Sequence, residues 1–140
     1  MYSNNWNSVA FAISIDSTLS AAEKCTDEDI AEMEKSITKR IEAFQNNDIE
    51  SAIYWGSHFH EVIVAAVGNR FLTAIYKSLR KELYRDRVSY IQRVGFTESV
   101  EGYVEEDRRL LEAFKKHDSK LAQELMKEHI EILVHSFREN

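Results

Sequence analysis

The chain has no proline and only 4 glycines among its 140 residues. Because proline interrupts helices and glycine favours turns, their scarcity permits long continuous helices and argues against a turn-rich β architecture. The single cysteine, Cys25, excludes an internal disulfide and is typical of a reducing compartment. No apolar run approaches the roughly 18 residues of a membrane span, and the N-terminus has no signal-peptide pattern. We therefore expect a cytoplasmic protein without a membrane partner.

Basic residues are also in short supply, with 18 Lys and Arg against 24 Asp and Glu, for a formal net charge of -6. Nucleic-acid binding needs a basic face that neutralises phosphates, so these residues by themselves are not expected to bind DNA. A length of 140 residues with 44% hydrophobic content suffices for one compact domain. We expect a single domain over residues 1–140.

Apolar residues recur at helical spacing along nearly the whole chain, with short polar breaks between the segments. This pattern predicts an all-α antiparallel bundle of about six helices. Thr26 with Asp29, Asp48, and Thr97 are expected helix caps, while Gly68 and Gly95 are expected stops. No internal repeat is visible. The expected helices run from about Trp6 to Lys24, Thr26 to Phe44, Asp48 to Val67, Phe71 to Val94, Thr97 to Phe114 and Ser119 to Arg138.

Three polar residues interrupt the apolar faces of different helices, namely His60, Asp107 and His129. An unpaired buried charge costs several kcal/mol, so polar groups aimed at an interior suggest a ligand or metal pocket. Imidazole and carboxylate are competent ligands for Zn²⁺ or Ni²⁺. The alternatives are core histidines that are hydrogen-bonded to neighbours and an Asp107 that is paired with a basic residue, either nearby or on another helix.

Two blocks of sequence, residues 59–72 and 105–114, carry a resemblance to a known family, and four later positions continue it. In the first block a Phe-His pair opens an apolar turn that ends in Gly-Asn before a new helix. The chain resembles the FCD domain, the C-terminal effector-binding domain of GntR-type transcriptional regulators of the FadR subfamily, from about Ala21 to Phe137. The later positions are Asp118, Ala122, Met126 and His129.

The resemblance implies a homodimeric helical sensor of a small molecule, an organic acid or an acyl ligand, which controls a separate winged helix-turn-helix domain. Such a DNA-binding half is expected to lie outside this chain, because only about 20 residues precede the matching region. The family's metal and effector positions fall on Gly56, His60, Asp107 and His129. Gly56 offers no side-chain ligand, and Asp107 stands where the family has histidine, which leaves His60, Asp107 and His129 as the expected ligands of one divalent ion.

Other functions also fit these residue types. The three side chains could serve a small metal-dependent hydrolase with a water in an open position. That reading lacks a general base, since Glu61 and Glu106 are expected to point away from their neighbours His60 and Asp107. A stand-alone, metal-free ligand-binding protein is a further alternative. We expect a sensor that is not an enzyme and that acts by shifting a conformational equilibrium.

Overall fold

The computed structural model describes the backbone of residues 5–94 and 100–138, and side chains within 9–89, at 92 and within 104–131. Six helices occupy nearly all of the described residues, and no strand is found in those two ranges. The predicted antiparallel all-α bundle is therefore confirmed, and the expected helix ends fall close to the observed ones. The helices are α1 (Asn5–Lys24), α2 (Asp27–Gln45), α3 (Ile49–Ala66), α4 (Arg70–Val94), α5 (Val100–Lys115) and α6 (Ser119–Arg138).

Helix α2 begins at the capping box expected from the sequence. The backbone N–H of Asp29 donates to Oγ1 of Thr26 at 3.1 Å, and the backbone N–H of Thr26 donates to Oδ2 of Asp29 at 2.9 Å. Asp48 caps α3 in the expected way by accepting from the backbone N–H of Ser51 at 3.1 Å. The expected cap Thr97 and the expected stop Gly95 lie outside the described residues.

The α2–α3 and α5–α6 turns share one geometry. Asn47 and His117 both adopt a left-handed backbone, with φ of 54° and 52°. In each turn the following aspartate donates its backbone N–H to an alanine carbonyl, from Asp48 to Ala43 at 2.8 Å and from Asp118 to Ala113 at 2.9 Å. Residues 42–52 and 112–122 share the pattern Glu-Ala-Phe-x-x-x-Asp-x-x-x-Ala. This repeat is too short to stand out in the sequence, since it extends little beyond the turn between two helices.

Helix α3 packs against α1, α2 and α4. Its side chains Phe59 and Ile63 join Met33 and Phe114 in the main core, where all four are almost fully buried. A smaller cluster forms where α1, α3 and α4 meet, around Ala10, Val64, Tyr76 and Leu83. Helix α3 also carries polar side chains that are buried beside these two clusters, and one of them, His60, belongs to the candidate site.

Helix α4 presents large apolar side chains to solvent near its start. Phe71 is 68% exposed and Ile75 is 49% exposed, and their spacing of four residues puts them on one face of the helix. Within the described part of the chain, no helix combines the length and the apolar character needed to cross a lipid bilayer.

Candidate functional site

The two histidines that the sequence singles out lie against each other in the interior. His60 on α3 and His129 on α6 are 6% and 4% exposed, and their rings stack with centroids 5.2 Å apart at an angle of 20°. Both helices therefore direct an imidazole to the same point of the interior.

Asp107, the third predicted residue, faces a different helix. Its Oδ2 accepts a hydrogen bond from Nη1 of Arg40 on α2 at 2.7 Å, within an ion pair whose carboxylate is 2% exposed and whose guanidinium side chain is 11% exposed. The alternative reading of Asp107, a buried pair with a basic residue on another helix, describes this arrangement. Arg40 was missed, although it shares its helical face with Ile37 and Phe44 and therefore carries the same signal as His60.

Gly56, one turn before His60, lies against the same arginine. A Cβ atom at this position would approach Cζ of Arg40 to 3.0 Å and its Nε to 3.2 Å. The glycine therefore leaves the space into which the guanidinium fits. Arg40 links Gly56 to Asp107, and Gly56 and His60 share a face of α3.

Glu106 contacts His129 directly, with Oε2 2.5 Å from Nδ1 of the imidazole. The ring donates its Nδ1–H to this carboxylate, which fixes the ring's orientation. As expected, Glu106 points away from its neighbour Asp107, since α5 turns Glu106 toward α6 while Asp107 faces α2, but it contacts another residue of the predicted site, His129. Glu61 does point elsewhere, because it pairs with Arg80 on the neighbouring α4.

A small cavity lies beside His60, in the space between α1, α3, α4 and α6. Its volume is about 10 Å³, close to the space of a single water molecule. Its lining combines apolar side chains with a cation and several hydrogen-bonding groups. The lining residues are Ala10, Phe11, Ser14, Ser57, His60, Tyr76, Leu83, Arg87 and Ile130. Neither Asp107 nor His129 is among them.

The polar groups of this cavity are held in neutral forms by their surroundings. Burial lowers the pKa of His60 well below its ordinary value of 6.5, and the neighbouring His129, Arg87 and Arg40 lower it further. Burial also raises the pKa of Tyr76 above 10, although a hydrogen bond with Ser14 opposes that rise. The cavity therefore offers a neutral imidazole and a phenol beside the guanidinium of Arg87. Such a set suits a small anion that can also accept hydrogen bonds.

The donor set does not fit a divalent metal as it stands. One of the three expected ligands, Asp107, is already engaged by Arg40. Among the residues with described side chains, no group of three or more His, Cys, Asp and Glu has an arrangement that could hold a metal ion. A metal at this position would have to displace the guanidinium of Arg40 from Asp107.

A helical bundle with a polar cavity among four helices is an architecture suited to sensing a ligand. Among solved structures, E. coli McbR/YncC has a similar fold, with a TM-score of 0.76 and 21% sequence identity over 94% of this chain and 67% of that one. The comparison with curated protein sequences found no match.

The family model for the FCD domain matches residues 11–132. The chain therefore belongs to the FCD domain family, the effector-binding domains of GntR-type transcriptional regulators, as the resemblance in its sequence indicated.

Proposed function

We propose that this domain senses a small organic anion, which binds at the cavity beside His60 and shifts the conformation of a GntR-type regulator. The observation that carries the proposal is the lining of that cavity, where Arg87 supplies positive charge while Ser14, Ser57 and Tyr76 supply hydroxyl groups. A carboxylate needs a cation and hydrogen-bond donors of this kind. Direct contact is assigned to His60, and the ring of His129 stacks against it, while Gly56 and Asp107 contact Arg40 and do not line the cavity.

Binding must open the cavity, because about 10 Å³ cannot hold an organic acid. Helices α1 and α4 supply most of the lining, and α4, which packs only against α1 and α3 among the described helices, is the one we expect to move outward. Ligand binding is thereby coupled to a displacement of a whole helix, which a linked DNA-binding domain can detect. In this proposal DNA is a partner only through a winged helix-turn-helix domain outside these residues, and the sensor works as a homodimer.

The geometry does not favour a metal-dependent hydrolase, because Asp107 is held by Arg40 and the expected ligands do not converge on one cavity. His60 is the one member of the expected ligand set among the residues that line the cavity. Effector binding requires no covalent bond to be made or broken.

The test is a thermal-shift and calorimetric screen of mono-, di- and tricarboxylates and of fatty acids. Arg87→Met removes the cation of the cavity, and Arg85→Met is its matched control, because Arg85 lies on the same helix with a side chain that is 66% exposed. We expect a carboxylate that stabilises the wild type and Arg85→Met but not Arg87→Met. Equal stabilisation of all three proteins by the ligand would place binding elsewhere.

A further inference from the structure

One built-in cation lies at the position where the resemblance places a metal ion. Arg40 reaches from α2 to Asp107, with 2.7 Å between Nη1 and Oδ2, and its guanidinium lies against Gly56. Two of the four positions that the resemblance assigns to metal binding thus contact the same arginine. His60 is in its electrostatic range, since the charge of Arg40 contributes to the lowered pKa of that histidine.

The absence of a side chain at position 56 is matched to this arginine. A Cβ there would lie 3.0 Å from Cζ and 3.3 Å from Nη2 of Arg40, closer than ordinary van der Waals contact. A side chain at position 56 would therefore have to push the guanidinium aside. Gly56 and Arg40 form a complementary pair, in which the loss of one potential ligand makes room for the cation.

The buried carboxylate of Asp107 requires a cation beside it. Its carboxylate is 2% exposed, so it requires a compensating charge. The guanidinium supplies that charge with good hydrogen-bond geometry, at 2.7 Å. A divalent ion could bind the same carboxylate only by displacing the guanidinium of Arg40. The displaced guanidinium would then be a buried cation without its counter-charge.

We propose that the guanidinium of Arg40 replaces the divalent metal in this domain, so that the site is complete without a bound ion. Arg40 then neutralises Asp107 permanently, and Gly56 is the adaptation that accommodates it. Resting on the proposed function, this inference further specifies that an anionic effector is recognised with protein side chains alone. The tests below contain no effector, so that a failure here is separate from a failure of the proposed function.

The first test uses the unmodified protein with Zn²⁺ and Ni²⁺. After purification without chelator, elemental analysis should find no stoichiometric metal, and calorimetric titration should give no binding that depends on His129. A chelator should leave the melting temperature unchanged. One metal per chain whose binding is lost in His129→Ala would overturn the proposal.

The second test removes the replacement cation. The double variant Arg40→Ala with Gly56→Asp vacates the space and adds a carboxylate, and its apparent zinc affinity should exceed that of the wild type by about tenfold or more, a usual effect of altering the surroundings of a metal. The matched control is Lys39→Ala, which removes one positive charge from the exposed face of the same helix and should behave as the wild type does.

If the double variant does not fold alone, its refolding with and without Zn²⁺ provides the readout. Zinc-dependent recovery of helical circular dichroism supports the proposal, because the metal then supplies the charge that Arg40 supplied. A folded double variant with the zinc affinity of the wild type overturns it, as does an unfolded one that zinc does not rescue.

Discussion

Replacing one partner of the buried ion pair between Arg40 and Asp107 should lower the free energy of unfolding strongly, whereas replacing both should lower it much less than the two single losses together. With 2% and 11% of the two side chains exposed, Arg40→Met leaves a carboxylate inside the protein without its counter-charge. Breaking a buried pair in this way typically costs about 3–5 kcal/mol. A loss of this size is a large share of the stability of a small domain.

A double-mutant cycle separates the pair from the other contacts of Arg40, such as its position over the ring of Phe44, 5.6 Å from the centroid. Asp107→Asn keeps the size of the side chain and removes its charge. We expect the sum of the two single variants' losses in free energy of unfolding to exceed the loss in the double variant by a coupling energy on the order of 2 kcal/mol. Urea denaturation followed by circular dichroism measures all four proteins, with Lys39→Met as an exposed control.

Strict additivity in that cycle would refute the reasoning. It would mean that the guanidinium and the carboxylate do not depend on each other for their burial. A loss for Arg40→Met no larger than that for Lys39→Met would refute it as well, because an exposed substitution usually changes stability by less than about 0.5 kcal/mol.

Three further outcomes are expected. Thr26→Ala should lower stability by about 1 kcal/mol in urea denaturation through loss of the capping box, and an unchanged midpoint would show that α2 does not depend on its cap. His60 has a folded-state pKa below its unfolded value, so the unfolded chain binds the extra proton and stability should fall as the pH drops below about 6.5. His60→Gln should reduce this slope of stability against pH in urea denaturation. A wild-type slope in that variant would exclude His60 as its source. The homodimer proposed above should dissociate when Phe71 and Ile75 are both replaced by aspartate, and light scattering should change to the 16.3 kDa of one chain; a dimer that survives would place the interface elsewhere.

The helices could be predicted because each one carries its own signals. The spacing of apolar residues, the caps Thr26 and Asp48, and the stop at Gly68 are all local, and the observed helix ends follow them closely. His60 and His129 could be found in the same way, as polar residues on apolar helical faces. Local sequence patterns were sufficient for features that depend on a single helix, namely its ends and the face that it buries.

Each contact of the site joins side chains from two different helices, and for that reason it could not be predicted from the sequence of either helix. Arg40 carried the same facial signal as His60, but its length let it reach Asp107 on α5, and no spacing within α2 reveals that partner. Glu106 lies next to Asp107 in sequence, yet the two side chains contact different helices, α6 and α2. The volume of the cavity is likewise a property of four packed helices together.

The cavity beside His60 has about the volume of one water molecule, and under the proposed function that small size would set a threshold for the response. An effector has to work against the packing that closes the resting state, and each 1.4 kcal/mol of that cost raises the required concentration about tenfold. Weak metabolites that share the effector's charge but bring little binding energy would leave the resting state populated. Under the proposed function, the packing around this cavity would exclude weakly binding metabolites and would set the effector concentration at which the regulator responds.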